Sequence, residues 1–166
     1  MLDVVGQFLA WAGWVIQTFG YLGIFAVNFL ASASIFFPAP AFAFVFAAGA
    51  YLNPWLVGLS AGVGAALGEL TGYGIGFGGK RVLEKKYGKW IEKTKKYVEK
   101  YGMFWIVIAF AALPLPDDII GLLAGVVKYD IKKFLLASMI GKIIMNLALA
   151  WAGFYGIQAA LSFFTI

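Results

Sequence analysis

The sequence predicts an all-α integral membrane protein, an inverted repeat of two opposed re-entrant helical hairpins that are each followed by a transmembrane helix. Hydrophobic residues make up 63% of the chain and charged residues 13%, against about 45–50% and about 25% in soluble domains. No charged side chain occurs from Val4 to Gly68. Since a membrane helix needs about 20 apolar residues, this stretch can supply several. We expect one multi-pass membrane domain over residues 1–166.

The positive charges predict the orientation in the cell membrane. Nine of the thirteen Lys and Arg residues lie in Lys80–Lys100, and a second group contains Lys128, Lys132 and Lys133. Cytoplasmic loops of membrane proteins are enriched in Lys and Arg, so both groups and the N-terminus are expected in the cytoplasm. The same charges favour anionic lipid head groups as partners, and they argue against nucleic acid.

The second hairpin is predicted over residues 102–127. This stretch begins and ends on the cytoplasmic side, and it is too short for two full spans, which need about 40 residues. Pro114 and Pro116 interrupt it near the middle, where proline breaks a helix. The pattern indicates a helix into the membrane, a deep tip and a helix back out.

An earlier segment repeats this pattern at an offset of 76 residues. Pro38, Pro40 and Gly49 correspond to Pro114, Pro116 and Gly125, and the further matches are Ala48, Leu59 and Ala61 with Ala124, Leu135 and Ala137. The first hairpin, over residues 35–53, should open to the outside, because the helix after it ends at the cytoplasmic Lys80. Opposed repeats build midplane sites in many transporters. The identities are few, so chance similarity is the alternative.

The remaining predicted elements are transmembrane helices at 4–34, 55–79 and 131–160 and a cytoplasmic amphipathic helix at 80–101. In the last of these, apolar residues recur every three or four positions and lysines fill the other face, a pattern typical of a helix that lies on an anionic leaflet. A solvated linker helix is the alternative.

Four charged residues within the apolar segments are the candidate substrate or proton site, because buried charges in a membrane are costly and usually functional. They are Glu69, Asp117, Asp118 and Lys142. Helix geometry places all four about 14–20 Å from the cytoplasmic edge, so we expect them to converge. Three carboxylates against one ammonium predict that at least one carboxylate holds a proton. As alternatives, Asp117 caps a helix, and Glu69 and Lys142 form a structural ion pair.

The first tip carries no acid. A helix that starts near Ala41 would present free backbone amides, which with Lys142 could hold a lipid phosphate. Alternatively, the opposite hairpin satisfies those amides. Because the chain has no Cys and no His, the sequence predicts no metal site and no cofactor. The glycine run Gly72–Gly79 indicates close helix packing and not a nucleotide loop.

These motifs resemble a known family. Leu113-Pro-Leu-Pro-Asp-Asp, Leu122-Leu-Ala-Gly-Val and Ile140-Gly-Lys, with Gly68-Glu69, Tyr73 and Gly76, are similar to the DedA superfamily, also called the VTT domain or SNARE-associated family, and to its YqaA-like branch. The resemblance covers Pro38 to Phe154. It implies opposed re-entrant hairpins and a role in moving lipids between leaflets, as in polyprenyl-phosphate recycling and phospholipid scrambling. It places Glu69, Asp117 and Asp118 at the family's acidic positions.

Two departures from the family pattern bear on the substrate. The family's usual acid beside the first Pro-x-Pro is replaced by Ala41 and Phe42, and Ala112 and Asp117 stand where arginines flank the second proline. Polyprenyl phosphate is therefore less firmly implied than a phosphate-bearing lipid in general.

The function expected from the sequence is a flippase-like or scramblase-like lipid transporter with proton coupling. The alternatives are a proton- or cation-coupled carrier of a small solute and a structural membrane adaptor. An enzyme acting on lipid phosphate is disfavoured because no nucleophile or metal cluster is evident. The sequence leaves open whether the chain forms a homo-oligomer.

The topology can be tested with single cysteine reporters, because the chain has no cysteine of its own. Reporters at Pro54 and Ile166 should react with an impermeant thiol reagent from outside, and one at Lys93 only after permeabilisation. Reporters at Tyr101 and Lys128 should react from the same side. Opposite sides would make the intervening segment a true span, and labelling of Lys93 in intact cells would reverse the orientation.

Overall fold

A computed structural model describes residues 2–34, 38–79, 102–113 and 118–164. Within these ranges the chain is helical and contains no strand. The helices are α1 (Leu2–Ala33), α2 (Pro38–Tyr51), α3 (Pro54–Gly68), α4 (70–79), α5 (Met103–Ala112), α6 (Asp118–Val126) and α7 (Ile131–Phe164). The all-α class is confirmed, whereas the re-entrant hairpins and the inverted repeat stay predictions. The amphipathic helix predicted at 80–101 lies outside the described residues.

The helices differ in whether they are long enough to cross a membrane. Gly6–Ala33 and Ile131–Gly156, of 28 and 26 residues, are long and apolar enough to cross a membrane. The 10 residues of α5 and the 9 of α6 extend about 15 Å and about 14 Å, roughly half of a 30 Å hydrocarbon core. Neither short helix can cross a bilayer alone, as the hairpin prediction for 102–127 requires.

Helix α1 differs from the single helix predicted over 4–34. Gly20 has φ 55° and ψ −133°, which divides α1 into residues 2–19 and 21–33. This backbone conformation is accessible essentially only to glycine. The second part runs beside α3 in the same direction, since Phe25 lies against Gly64 and Phe29 against Gly68.

Helix α2 begins earlier than predicted. Pro38 and Pro40 lie inside its first turn, whereas the sequence placed both in a tip before a helix starting near Ala41. Proline is tolerated in a first turn because the amides there have no helical partner. The range 35–53 therefore holds one described helix, and residues 35–37 lie outside the described part.

The helix predicted at 55–79 is interrupted at Glu69, between α3 and α4. The backbone of Glu69 remains right-handed helical, with φ −58° and ψ −23°. Its N–H donates to Ala65 O, and Tyr73 N–H donates to Glu69 O, both at 3.1 Å. One helical hydrogen bond thus leads into Glu69 and one leads out of it, and the buried carboxylate stands at a point of low helix propensity among several glycines.

Close contacts at glycines set the packing of the long helices. α3 runs antiparallel to α7, since a Cβ at Gly58 would lie 2.7 Å from Leu147 Cα and one at Gly62 would lie 2.6 Å from Ile143 Cα. Real Cβ atoms do not approach backbone so closely, so only glycine permits this separation. Because lipid supplies no hydrophobic force between helices, such packing holds membrane helices together.

The same kind of contact occurs between α2 and α7 and between α4 and α6. In the first pair Gly153 lies against Phe46 O, and Gly49 against Ala150 O; in the second pair Gly76 lies against Leu122 O, and Gly125 against Tyr73 O. The α2 residues are 76 positions before their α6 counterparts, and the α4 residues are 77 positions before those of α7. Thus α2, from the first predicted repeat, packs on α7 of the second, and α6, from the second, packs on α4 of the first.

The number of residues that separates corresponding positions of the two predicted repeats changes from 76 to 77 in the loop before α7. Asn53 Oδ1 accepts from Trp55 N at 3.0 Å, and Asp130 Oδ1 accepts from Lys133 N at 2.8 Å, so both residues cap helices and they are 77 positions apart. The extra residue lies in the loop that contains Lys128, which has φ 56°. The 76-residue spacing inferred from Leu59 and Leu135 therefore does not hold for the long helices.

Glycine substitutions on α4 test this packing. Gly76→Ala should destabilise the protein by about 1–3 kcal/mol, because its Cβ would overlap the Leu122 backbone. Gly74→Ala is the matched control, since a Cβ there meets no atom within 4 Å and alanine favours the helix by about 0.5–1 kcal/mol. Thermal unfolding in detergent should give shifts of opposite sign, and equal effects would contradict the α4–α6 contact.

Candidate functional site

The centre of the candidate site is a buried ion pair. Lys142 Nζ lies 2.9 Å from Glu69 Oε1, and the two side chains are 7% and 4% exposed. Glu69 stands at the interruption between α3 and α4, and Lys142 projects from α7. The sequence predicted this pairing as one alternative, because charges in an apolar interior require partners of opposite sign.

Helix α1 contributes a hydrogen bond to the same carboxylate. Ser32 Oγ donates to Glu69 Oε1 at 3.0 Å. The sequence analysis missed Ser32, because it searched the apolar segments for charged groups only. The available signal was the pair of serines Ser32 and Ser34 near the end of a long apolar helix. With this bond, one carboxylate oxygen at the junction of α3 and α4 contacts both α1 and α7.

The other carboxylate oxygen faces the first turn of α6. A Cβ at Gly121 would lie 3.4 Å from Glu69 Oε2 and 3.7 Å from the backbone oxygen of Glu69. Because α6 begins at Asp118, the start of this helix lies beside the ion pair. The short helix after the second pair of prolines therefore approaches the site from a third direction.

The other predicted site residues are placed only in part. Pro38 begins α2, Pro40 is exposed and Ala41 is buried. Asp118 is the first residue of α6, and its side chain lies outside the described part of the chain, as do Pro114, Pro116 and Asp117 altogether. The structure thus brings Glu69 and Lys142 together, and the convergence of the aspartates with them stays a prediction.

A further polar residue, Asn146, lies one turn beyond Lys142 on α7. It is 1% exposed, and its Nδ2 donates to Lys142 O at 2.8 Å. Its Oδ1 is buried and accepts no hydrogen bond. A buried acceptor without a donor costs about 1–3 kcal/mol, so such groups call for an explanation. The sequence signal was an amide four positions from a buried lysine, on one helix face.

Aromatic residues close one end of the α4–α6–α7 region. Tyr73 Oη donates to Tyr129 O at 2.6 Å, and its ring lies 5.2 Å from that of Phe134. Lys128 Nζ lies 5.5 Å from the centre of the Phe77 ring. Burial, and then the nearby Asp130 carboxylate, raise the pKa of the Tyr129 phenol.

The chemistry that this arrangement offers is that of a buried ion pair. Glu69 and Lys142 cancel each other's charge, and removal of either partner leaves a charge where water is scarce. Among the described residues no group of three or more Asp, Glu, His or Cys side chains could hold a metal ion. The site can exchange a proton at a carboxylate and can offer an ammonium to an anion.

Comparison with known proteins gives a consistent set of relatives. The family model described as the VTT domain matches residues 37–155. The uncharacterized membrane protein YbfM of Bacillus subtilis is 30% identical over 139 residues, covering 76% of this chain and 84% of its own. The inner membrane protein YqaA of Escherichia coli is 26% identical over 106 residues, covering 64% and 71%. No solved structure matches.

A relative from an archaeon extends this set. The uncharacterized protein MJ0201 of Methanocaldococcus jannaschii is 29% identical over 143 residues, covering 80% of this chain and 82% of its own. The three relatives cover between 64% and 80% of this chain, and the residues matched by the family model include Glu69 and Lys142.

The ion pair can be measured with a double-mutant cycle. Glu69→Met and Lys142→Met should each destabilise the protein by about 3–5 kcal/mol, because each leaves an unpaired buried charge. The double variant should be more stable than either single variant. Unfolding in detergent gives the coupling energy. A coupling energy near zero would mean that the two groups contribute independently to stability. Ser32→Ala, which removes one hydrogen bond to Glu69, should lower the free energy of unfolding by only about 1 kcal/mol.

Proposed function

Because the chain belongs to the VTT-domain family, also called the DedA family, we propose that it is a membrane transporter that moves a phosphate-bearing lipid between leaflets. The observation that carries the proposal is the buried Glu69–Lys142 pair, which touches the first turn of a short helix inside an apolar interior. Charges in membrane segments commonly mark substrate or proton pathways.

The packing of the two halves supports a site at the bilayer midplane. Each short helix, α2 or α6, contacts the long helix of the other half through a pair of glycines at matching positions. We infer from this correspondence an inverted repeat, in which 35–53 and 102–127 contribute opposed re-entrant tips. Transporters built this way bind substrate between the repeats, near the midplane.

The outer surface of the helices fits a lipid environment. Large exposed apolar side chains are frequent on α1 and α7, among them Trp14, Leu22, Leu30, Leu136 and Ile144. In water such a surface would drive association. In a bilayer it allows a lipid to keep its acyl chains among these side chains while its head group enters between the helices.

In our proposal the ion pair supplies the group that binds the lipid head group. A phosphate that reaches Lys142 competes with Glu69 for the ammonium, because both are anions that accept its hydrogen bonds. A proton taken up by Glu69 removes one of these competitors, and loss of that proton restores the pair and releases the phosphate. Lys142 thus contacts the phosphate in our proposal, and Glu69 couples its release to proton exchange.

Asp117 and Asp118 extend this role to the second tip. They immediately precede or begin α6, whose first turn lies beside Glu69. We propose that they exchange protons or steer the head group as it passes. An asparagine can replace the capping function of an aspartate at a helix start, but it cannot carry a proton at this pH.

The functional test compares Asn and Ala at these two positions. In liposomes with fluorescent phospholipid or polyprenyl phosphate, Asp117→Asn with Asp118→Asn should lower flux several-fold and flatten its dependence on pH, with little change in melting temperature. Ala at both positions should also lower the melting temperature, because a cap is lost. Glu69→Gln should flatten the pH dependence as well.

Two results would count against the proposal. Unchanged, still pH-dependent flux in the double Asn variant would leave the aspartates with a capping role alone. Equal lipid flux in protein-free liposomes and in liposomes with wild-type protein would remove the transport proposal itself, provided that the protein is folded and inserted.

A further inference from the structure

The unsatisfied amide oxygen of Asn146 is the one described buried polar atom that the ion pair leaves unexplained. It lies on α7, four residues after Lys142, and the side chain is 1% exposed. Side chains on a helix lean toward its N-terminus, so Asn146 leans back over Lys142. Its Nδ2 already bonds to the Lys142 backbone oxygen, which fixes the amide group beside the base of the lysine side chain.

We propose that Asn146 Oδ1 is a second docking position for the Lys142 ammonium. In the described state the ammonium contacts Glu69 Oε1 at 2.9 Å. A lysine side chain has four rotatable bonds and three donor hydrogens, so it can exchange one acceptor for another within one helical turn. Asn146 positions the ammonium after Glu69 has been protonated or after the ion pair between Glu69 and Lys142 has broken.

The correspondence between the two halves gives this position a structural context. At the 77-residue spacing of the long helices, which the caps Asn53 and Asp130 define, Asn146 corresponds to Glu69. The carboxylate in one half is thus matched by a neutral amide in the other. Lys142 stands between an acceptor that can lose its charge and one that never carries a charge.

The charged and titratable groups around the lysine come from three elements. The junction of α3 and α4 supplies Glu69, α1 supplies the Ser32 hydroxyl that bonds to the same carboxylate, and α6 brings its first turn, which begins at Asp118. Asp117 precedes that turn in the sequence. The Glu69 carboxylate competes with Asn146 for the ammonium, so its neutralisation should shift Lys142 toward the amide.

The consequence for transport rests on the proposed function. Asn146 is four residues farther along α7 than Lys142, about 6 Å at 1.5 Å per residue. In the predicted orientation this direction points to the outside. A phosphate held by Lys142 would move with the ammonium away from Glu69 and its cytoplasmic side, which is a defined step of the crossing.

The docking itself is tested by moving the carboxylate to position 146. Glu69→Met removes both the charge and the acceptor and should lower the melting temperature of the full chain in detergent. Adding Asn146→Asp should restore several degrees, because Lys142 then pairs with the new carboxylate. Met145→Asp is the matched control, since it places a carboxylate at a buried site on the same turn, about 100° around the helix, and it should lower the melting temperature further.

The result that overturns the proposal is a Glu69→Met, Asn146→Asp protein that is no more stable than Glu69→Met or that fails to fold. A second comparison covers the case in which Glu69→Met alone does not fold. Asn146→Leu in the wild-type background should change the melting temperature little, because it removes an unsatisfied acceptor together with the Nδ2 hydrogen bond to Lys142 O, and a large drop would contradict an unsatisfied Oδ1.

Transport is measured separately in liposomes. Asn146→Leu should lower lipid flux several-fold although the Glu69–Lys142 pair is intact. If the carboxylate transfer restores stability while Asn146→Leu leaves the flux unchanged, the docking position stands and its part in transport is refuted. If wild-type protein moves no lipid, the proposed function fails and the stability result still decides the docking.

Discussion

The structure depends on one electrostatic constraint: a carboxylate and an ammonium buried in an apolar interior must meet. Glu69 stands between α3 and α4 and Lys142 lies on α7, and Ser32 brings α1 to the same carboxylate oxygen. Water is scarce there, so the pairing offsets much of the cost of burying both charges. The relative position of α4, α7 and the second part of α1 is thereby restricted to arrangements that keep these three groups within hydrogen-bonding distance.

Small residues make this arrangement sterically possible. Where the long helices approach each other, and where the short helices cross them, a glycine lies against backbone atoms. The resulting separation is short enough for a lysine on one helix to reach a carboxylate on another. Packing and electrostatics are therefore coupled, because a larger side chain at these crossings would separate the charges as well as the helices.

The sequence predicted the parts of this arrangement that follow from strong local signals. Helical class, the long helix from Ile131 and the Glu69–Lys142 pair follow from long apolar runs and from the rarity of charges within them. The kink at Gly20 could not be predicted, because twenty-one glycines look alike in sequence and only tertiary packing selects the one that bends. Ser32 and Asn146 were missed for a related reason, since neutral polar residues are common in membrane helices and only the folded structure shows which of them lie beside the ion pair.

The extra residue in the loop at Lys128 has a consequence for detecting the proposed internal repeat from sequence. One ungapped offset cannot align both the short and the long helices, so a search for internal duplication divides the signal between two registers. At the offset of the long helices, Gly64, Leu70, Gly76 and Phe77 are identical to Gly141, Leu147, Gly153 and Phe154. A sequence test of the proposed repeat therefore has to allow a gap of one residue in this loop.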